Sequence, residues 1–147
     1  MVEFKDFQKK NRQELLDMMM VFYKSDAVDE PIADNIIKKL LDDILKGEYQ
    51  IRGIELYYDS KLAGFGIITS YYTSEIAGTT VQFEDVYIKD EYRSKGIGRK
   101  YFPSMMKEYP NASRFRLEVA PENERAIKLY KELGFEKLDY NQMISDM

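Results

Sequence analysis

Three runs rich in β-branched and aromatic residues, "GIELYYD", "KLAGFGIITSYYT" and "TVQFEDVYI", follow one another between residues 53 and 88, with only "DSK" and "SEIAGT" at the junctions. Runs of this kind bounded by polar, glycine-bearing turns read as strands, and connections so short join antiparallel neighbours. The middle of the chain is therefore expected to be a three-strand meander. Whatever lies before and after it must extend this sheet or cover its faces.

Upstream, "VEFKDF" reads as a short first strand. "NRQELLDMMMVFYK" follows with Leu15, Met18, Met19 and Phe22 at helical spacing, Asn11 in the N-cap position, and Met18, Met19 and Met20 as core. After "SDAVDE", Pro31 suits a first helical turn, and Ile32, Ile36, Ile37, Leu40, Leu41 and Ile44 recur at intervals of three and four as far as Gly47. Downstream, "RKYFPSMMKEY" reads as a helix interrupted by Pro103, "RFRLEVA" as a strand and "NERAIKLYKELGF" as a helix closed by Gly134 at C′. "FEKLDYNQMI" is expected to add one or two final strands, and Tyr57, Tyr58, Tyr71 and Tyr72 to pack on the sheet. The expected fold is α/β of the α+β kind, a mixed, mostly antiparallel sheet flanked by helices in the order β-α-α-β-β-β-α-β-α-β. No linker, repeat or low-complexity segment divides the chain, so residues 1–147 are expected to form a single domain.

The composition narrows the chemistry. Neither Cys nor His occurs, which excludes disulfides, thiolate or imidazole metal sites, a Ser-His-Asp triad and a cysteine nucleophile. Acid–base work falls to Glu, Asp, Tyr or Lys, and no metal is expected. A balance of 22 basic against 26 acidic side chains, net −4, disfavours a nucleic-acid partner and makes any basic patch local. No apolar signal core opens the chain and no apolar run approaches a membrane span, so it is expected to be cytoplasmic, with no membrane partner.

The local basic patch is "EYRSKGIGRK", residues 91–100. It lacks the third glycine of the dinucleotide fingerprint and the Gly-Lys-Ser/Thr of a P-loop. What remains is a strand, a short turn and R-x-x-G-x-G opening a helix. Gly96 and Gly98 allow close approach of a ligand to the main chain, and the first amides of a helix lack internal partners, so the loop suits an anion. The alternative is a solvated turn whose glycines only permit its shape.

"FEDVYIKDEYRSKGIGRKYF" together with "VAPENERAIKLYKELGF" resembles the Gcn5-related N-acetyltransferase (GNAT) family. The family's R/Q-x-x-G-x-G/A loop falls on Arg93, Gly96 and Gly98, and its N-x-x-A-x-x-x-Y helix on Asn123, Ala126 and Tyr130. The resemblance implies that acetyl-coenzyme A is the cosubstrate. Its pyrophosphate would sit on the loop Arg93, Ser94, Lys95, Gly96, Ile97, Gly98 and Arg99, its pantetheine arm along Val86 and Ile88, and Asn123 would lie on the other side. Pro103 departs from a regular helix but lies beyond the first turn, so phosphate binding is expected to survive.

Acetyl transfer to an amine requires a base for the nitrogen and an acid for the departing thiolate. Without histidine the base is a carboxylate, and Glu84 is the first choice. Strand alternation would place Glu84 with Val86 and Ile88, opposite Phe83, Asp85 and Tyr87, unless a bulge intervenes. The resemblance implies the same Glu84, and it implies Tyr130 as the acid, on one helix face with Asn123, Ala126 and Ile127. The resemblance also points to a backbone amide near Val86 that would steady the carbonyl oxygen. Asp85 is read as structural, or as substrate wall if a bulge turns it. The acid-rich "SDAVDEPIAD" suggests a cationic small-molecule amine as acceptor, with Asp26 and Glu30 as substrate contacts. The other reading is that Asp29 or Glu30 gives a favourable start to the second helix. Direct attack in a ternary complex is the expected route. The alternatives are acetylation of a protein or peptide, and a noncatalytic acetyl-CoA-binding regulatory module. Homodimerisation is left open.

Overall fold

The structure is a computed structural model covering residues 1–147. Its sheet has five strands in sequential order: β1 (Val2–Asp6), β2 (Ile51–Tyr58), β3 (Lys61–Thr73), β4 (Gly78–Ile88) and β5 (Arg114–Leu117). The expected meander is β2–β3–β4. The first four strands pair antiparallel, and β5 runs parallel to β4 after a helical crossover. Helices α1 (Arg12–Tyr23) and α2 (Asp34–Lys46) cover one face, and α3 (Ile97–Lys107) and α4 (Glu124–Glu132) lie on the other.

Each sheet face buries its own set of side chains. Leu15, Met19, Ile37 and Leu41 of α1 and α2 pack with Phe65 and Ile67 of β3, while Tyr101, Phe102 and Met105 of α3 pack with Ile54, Leu56, Ile68, Val81 and Phe83. Phe65 and Ile67 point one way and Ile68 the other, as period-two alternation requires. No helix is long and apolar enough to cross a membrane.

The end of α4 closes as the sequence suggests. Gly134 has φ 98° and donates to the Lys131 carbonyl, Phe135 donates to the Tyr130 carbonyl, and the rings of Tyr130 and Phe135 meet at 6.0 Å. That is the Schellman arrangement, with its hydrophobic contact across the cap.

Four expectations are corrected. Asn11 occupies the N-cap position of α1 but caps nothing; its amide donates to the buried Glu55 carboxylate, which also accepts from Gln8 and Tyr57. Pro31 and Ile32 precede α2, which starts at Asp34 behind an extended Ala33. The Ile32 amide instead donates to the Tyr23 carbonyl at 3.0 Å, docking the connection onto the end of α1. Tyr71 and Tyr72 are both exposed, where the β3–β4 hairpin outruns the helices that would cover them. The order ends in α4, because residues 136–147 form no strand: Tyr140 crosses to Glu75 at the hairpin tip, and Leu138, Met143 and Ile144 are exposed.

One buried group is left without a partner. The Tyr101 hydroxyl sits beneath Gly66, where an added Cβ would collide with it, and it makes no hydrogen bond. A buried donor in that state costs stability, so Tyr101→Phe is expected to gain about 1 kcal/mol. Urea unfolding of the two proteins measures it; a midpoint that falls would show that the hydroxyl contributes.

Candidate active site

The site begins with an irregularity in β4. Ile67 pairs with Asp85 and Ile68 with Phe83, so Glu84 has no partner on β3: it is the extra residue of a bulge. The bulge reverses the alternation expected from sequence. Phe83 and Val86 now face the α3 layer together, while Asp85 and Tyr87 turn toward α1 and α2. Tyr23, the last residue of α1, donates its hydroxyl to Asp85 Oδ2 at 2.7 Å. Asp85 is thus part of the site wall.

The bulge coincides with the point where the sheet opens. Pairing of β4 with β5 ends at Phe83 and Leu117, leaving β4 from Glu84 to Ile88 with a free edge. Tyr87 O lies against Gly64 and the Lys89 amide donates to Ala63 O, so these groups point to β3. By alternation the main-chain groups of Val86 and Ile88 face the open side. There a cleft of about 510 Å³ separates the strands, with Asp26, Glu84, Asp85 and Val86 on one wall and Glu118, Glu122, Asn123 and Tyr130 on the other. A second cavity, of about 300 Å³, lies under the connection between α1 and α2, and Glu84 and Asp85 also close its inner end.

Five carboxylates and no Lys or Arg line the larger cleft. Burial is the main cause that raises the Glu84 carboxyl above its ordinary value, and the Asp85 and Glu118 charges add to it. Asp85 is raised as well, mostly by burial, against the opposing effect of the Tyr23 hydrogen bond. Tyr130 is half-buried, edge-on to Phe102 at 5.4 Å, and its hydroxyl has no partner in the chain; burial raises it, so it keeps its proton at neutral pH.

The glycine loop leads into α3, whose Phe102 lines the cleft. Ser94 and Gly96 have φ of 61° and 77°, and the turn delivers the chain into α3 with the amides of Ile97, Gly98 and Arg99 unpaired. A Cβ on Gly98 would meet only Leu129 Cδ2, at 3.8 Å. The protein itself therefore does not require glycine there; a ligand lying against the main chain would. Ile97 contributes only its amide, since its side chain is buried. The basic side chains are held elsewhere: Arg93 on Ile88 O at 3.0 Å and Asp90 at 2.9 Å, Lys95 over the Tyr58 ring at 5.5 Å, and Arg99 on Glu132 at 2.5 Å. Asn123 caps α4, its Oδ1 accepting from the Ala126 amide. Glu30 is exposed and lines neither cavity, and Asp34 pairs with Lys24, so of the acid-rich connection only Asp26 reaches the cleft. No group of side chains suited to hold a metal ion is drawn together.

Sequence reasoning missed several participants. Tyr23 depends on the bulge, as does Asp85, which the sequence offered as site wall only if a bulge turned it, and the signal was present: the apolar positions Val81, Phe83, Val86 and Ile88 step by three across Glu84. Arg125, which donates to Ser94 Oγ at 2.8 Å, and Glu132 tie α4 to the loop and carried no local signal.

Comparison with known proteins gives the same picture. The chain is 38% identical over 77 residues to the thialysine N-epsilon-acetyltransferase of Sus scrofa, covering 51% of this chain and 45% of that protein. It thus spans about half the length of the curated thialysine relatives it matches. It is 28% identical over 112 residues to the spermine/spermidine N(1)-acetyltransferase of Bacillus subtilis, covering 71% and 73%. In fold it matches the crystal structure of a possible acetyltransferase from Clostridium difficile 630, with a TM-score of 0.83 at 19% identity over 99% of this chain and 97% of that one. A family model spans residues 12–135, from the first turn of α1 to the cap of α4, and it places this chain in the Acetyltransferase (GNAT) family.

Proposed function

We propose that residues 1–147 act as one domain that transfers the acetyl group of acetyl-CoA to a primary amine of a small cationic molecule, by direct attack in a ternary complex. The observation that carries this reading is the parting of β4 and β5 at the Glu84 bulge, which leaves a cleft with Glu84 on one wall and Tyr130 on the other. The relatives act, by name, on thialysine, spermine and spermidine, all amines. A cytoplasmic setting goes with the reading.

The residues present fit the cosubstrate. The three free amides at the start of α3 and the open face of Gly98 suit its phosphates, and the outward main chain of Val86 and the Ile88 amide suit an extended arm added to the strand edge, the Ile88 carbonyl being held by Arg93. Acetyl-CoA supplies the activated acetyl group. Glu84 takes one proton from the alkylammonium so that the neutral nitrogen can attack, its raised basicity helping it do so, and the second nitrogen proton passes to solvent as the amide forms. Tyr130 gives its proton to sulfur as the C–S bond breaks and recovers one from solvent. Asp26 and Glu118 add negative charge that draws a cationic amine toward Glu84. Two-substrate initial rates test the direct route: intersecting reciprocal plots are expected, and parallel plots, the mark of an acetylated enzyme, would overturn it.

A pH prediction follows from the pair. The Asp85 charge raises Glu84, so Asp85→Asn removes that contribution and lowers the carboxyl pKa of the base. The acidic limb of the kcat/KM profile is expected to move to lower pH in this variant. A limb that stays in place or moves up would remove Glu84 from the role of base.

A further inference from the structure

The two cavities share two side chains, Glu84 and Asp85. On the reading above, on which this inference rests, the larger cleft holds the arm that carries the thioester. The acceptor nitrogen then reaches Glu84 from the other side, and the rest of the acceptor lies in the smaller chamber.

That chamber has a distinct chemistry. Its walls are Val28 and Ile32 of the connection, Ile36 and Leu40 of α2, and Ile51 and Ile67 of the sheet. Its charged groups, Glu84 and Asp85, are both at the shared end, and the Tyr23 hydroxyl is already committed to Asp85. The aliphatic lining has a local cause: the Ile32 amide bonds to Tyr23 O, which holds the connection over the opening with Val28 and Ile32 inside it. A hydrocarbon chain placed there gains from burial with each methylene, whereas a second ammonium would lose its hydration with no partner to replace it.

We propose that this chamber is the binding site for the hydrocarbon part of the acceptor, and that the substrate is a primary alkylamine whose only charge inside the protein is the reacting nitrogen. A volume of about 300 Å³ holds roughly ten non-hydrogen atoms. Amines of up to about eight carbons are therefore accommodated. The acid-lined cleft orients the nitrogen; the chamber selects what the nitrogen is attached to.

The test is calorimetric titration of the full chain, saturated with coenzyme A, with unbranched alkylamines of three, five and seven carbons, the five-carbon diamine and spermidine. The dissociation constant is expected to fall about fourfold per added methylene. The diamine is expected to bind at least about tenfold more weakly than the five-carbon monoamine. Ile32→Asn and the half-exposed Ile36→Asn, whose folding is not at issue, are expected to flatten the gradient while coenzyme A affinity is kept. A dissociation constant independent of chain length, or tightest binding by spermidine, overturns the proposal. Because coenzyme A replaces acetyl-CoA, a gradient without turnover in a parallel acetyl-CoA assay keeps the chamber and sinks the transfer reading. Turnover without a gradient does the reverse.

Discussion

Tyr130→Phe is expected to lower kcat about a hundredfold and leave acetyl-CoA affinity unchanged. The substitution keeps the ring that meets Phe102 at 5.4 Å and Phe135 at 6.0 Å, so the packing that sets α4 against α3 is preserved. Only the hydroxyl goes. It has no partner in the chain, faces the cleft and stays protonated, which are the properties of a group that donates rather than one that braces the fold. Single-turnover rates with a saturating amine separate the chemical step from binding. An unchanged chemical rate would assign Tyr130 to packing alone.

Gly98→Val is expected to weaken acetyl-CoA binding at least about a hundredfold with no loss of folding stability beyond about 1 kcal/mol. Most glycines that tolerate no side chain do so because the protein is in the way; Gly64, where an added Cβ would strike the Tyr87 carbonyl, is one. Gly98 is different. Its surroundings are open apart from Leu129, and its φ is not in the left-handed region, so the valine's cost in the folded protein is small. The cost appears only against a ligand that must touch the main chain. Lys100→Ala, on a residue exposed on the helix, is the control and should weaken binding only a few-fold. Calorimetry on both variants decides it, and equal small losses would reduce the loop to a turn.

Local chemistry was the legible part of this chain. Short turns forced the meander, and the loop and α4 motifs fell on the elements expected of them. Gly134 produced the cap its position implied because a Schellman closure is complete within six residues. The errors arose where a distant partner decided the outcome. Asn11 reads as a helix cap until Glu55, 44 residues away, takes its side chain. Pro31 and Ile32 read as helix until the carbonyl at the end of α1 offers the Ile32 amide a partner. "FEKLDYNQMI" reads as a strand, but a strand also needs an edge to join. The Glu84 bulge lies between these cases: the three-residue step from Phe83 to Val86 announces it in the sequence, and only the pairing with Ile67 and Ile68 shows that it brings Asp85 into the site.

Acetylation of an amine in the Glu84–Tyr130 cleft is the expected reaction. It is tested most directly by coupled detection of free coenzyme A thiol and N-acetyl product when the protein is mixed with acetyl-CoA and a panel of alkylamines, polyamines, amino acids and short peptides. Equal yields of thiol and acetylated amine are expected, dependent on both substrates, with a rate about a hundredfold lower in Glu84→Gln. Tight acetyl-CoA binding with no acetylated product from any amine would contradict it.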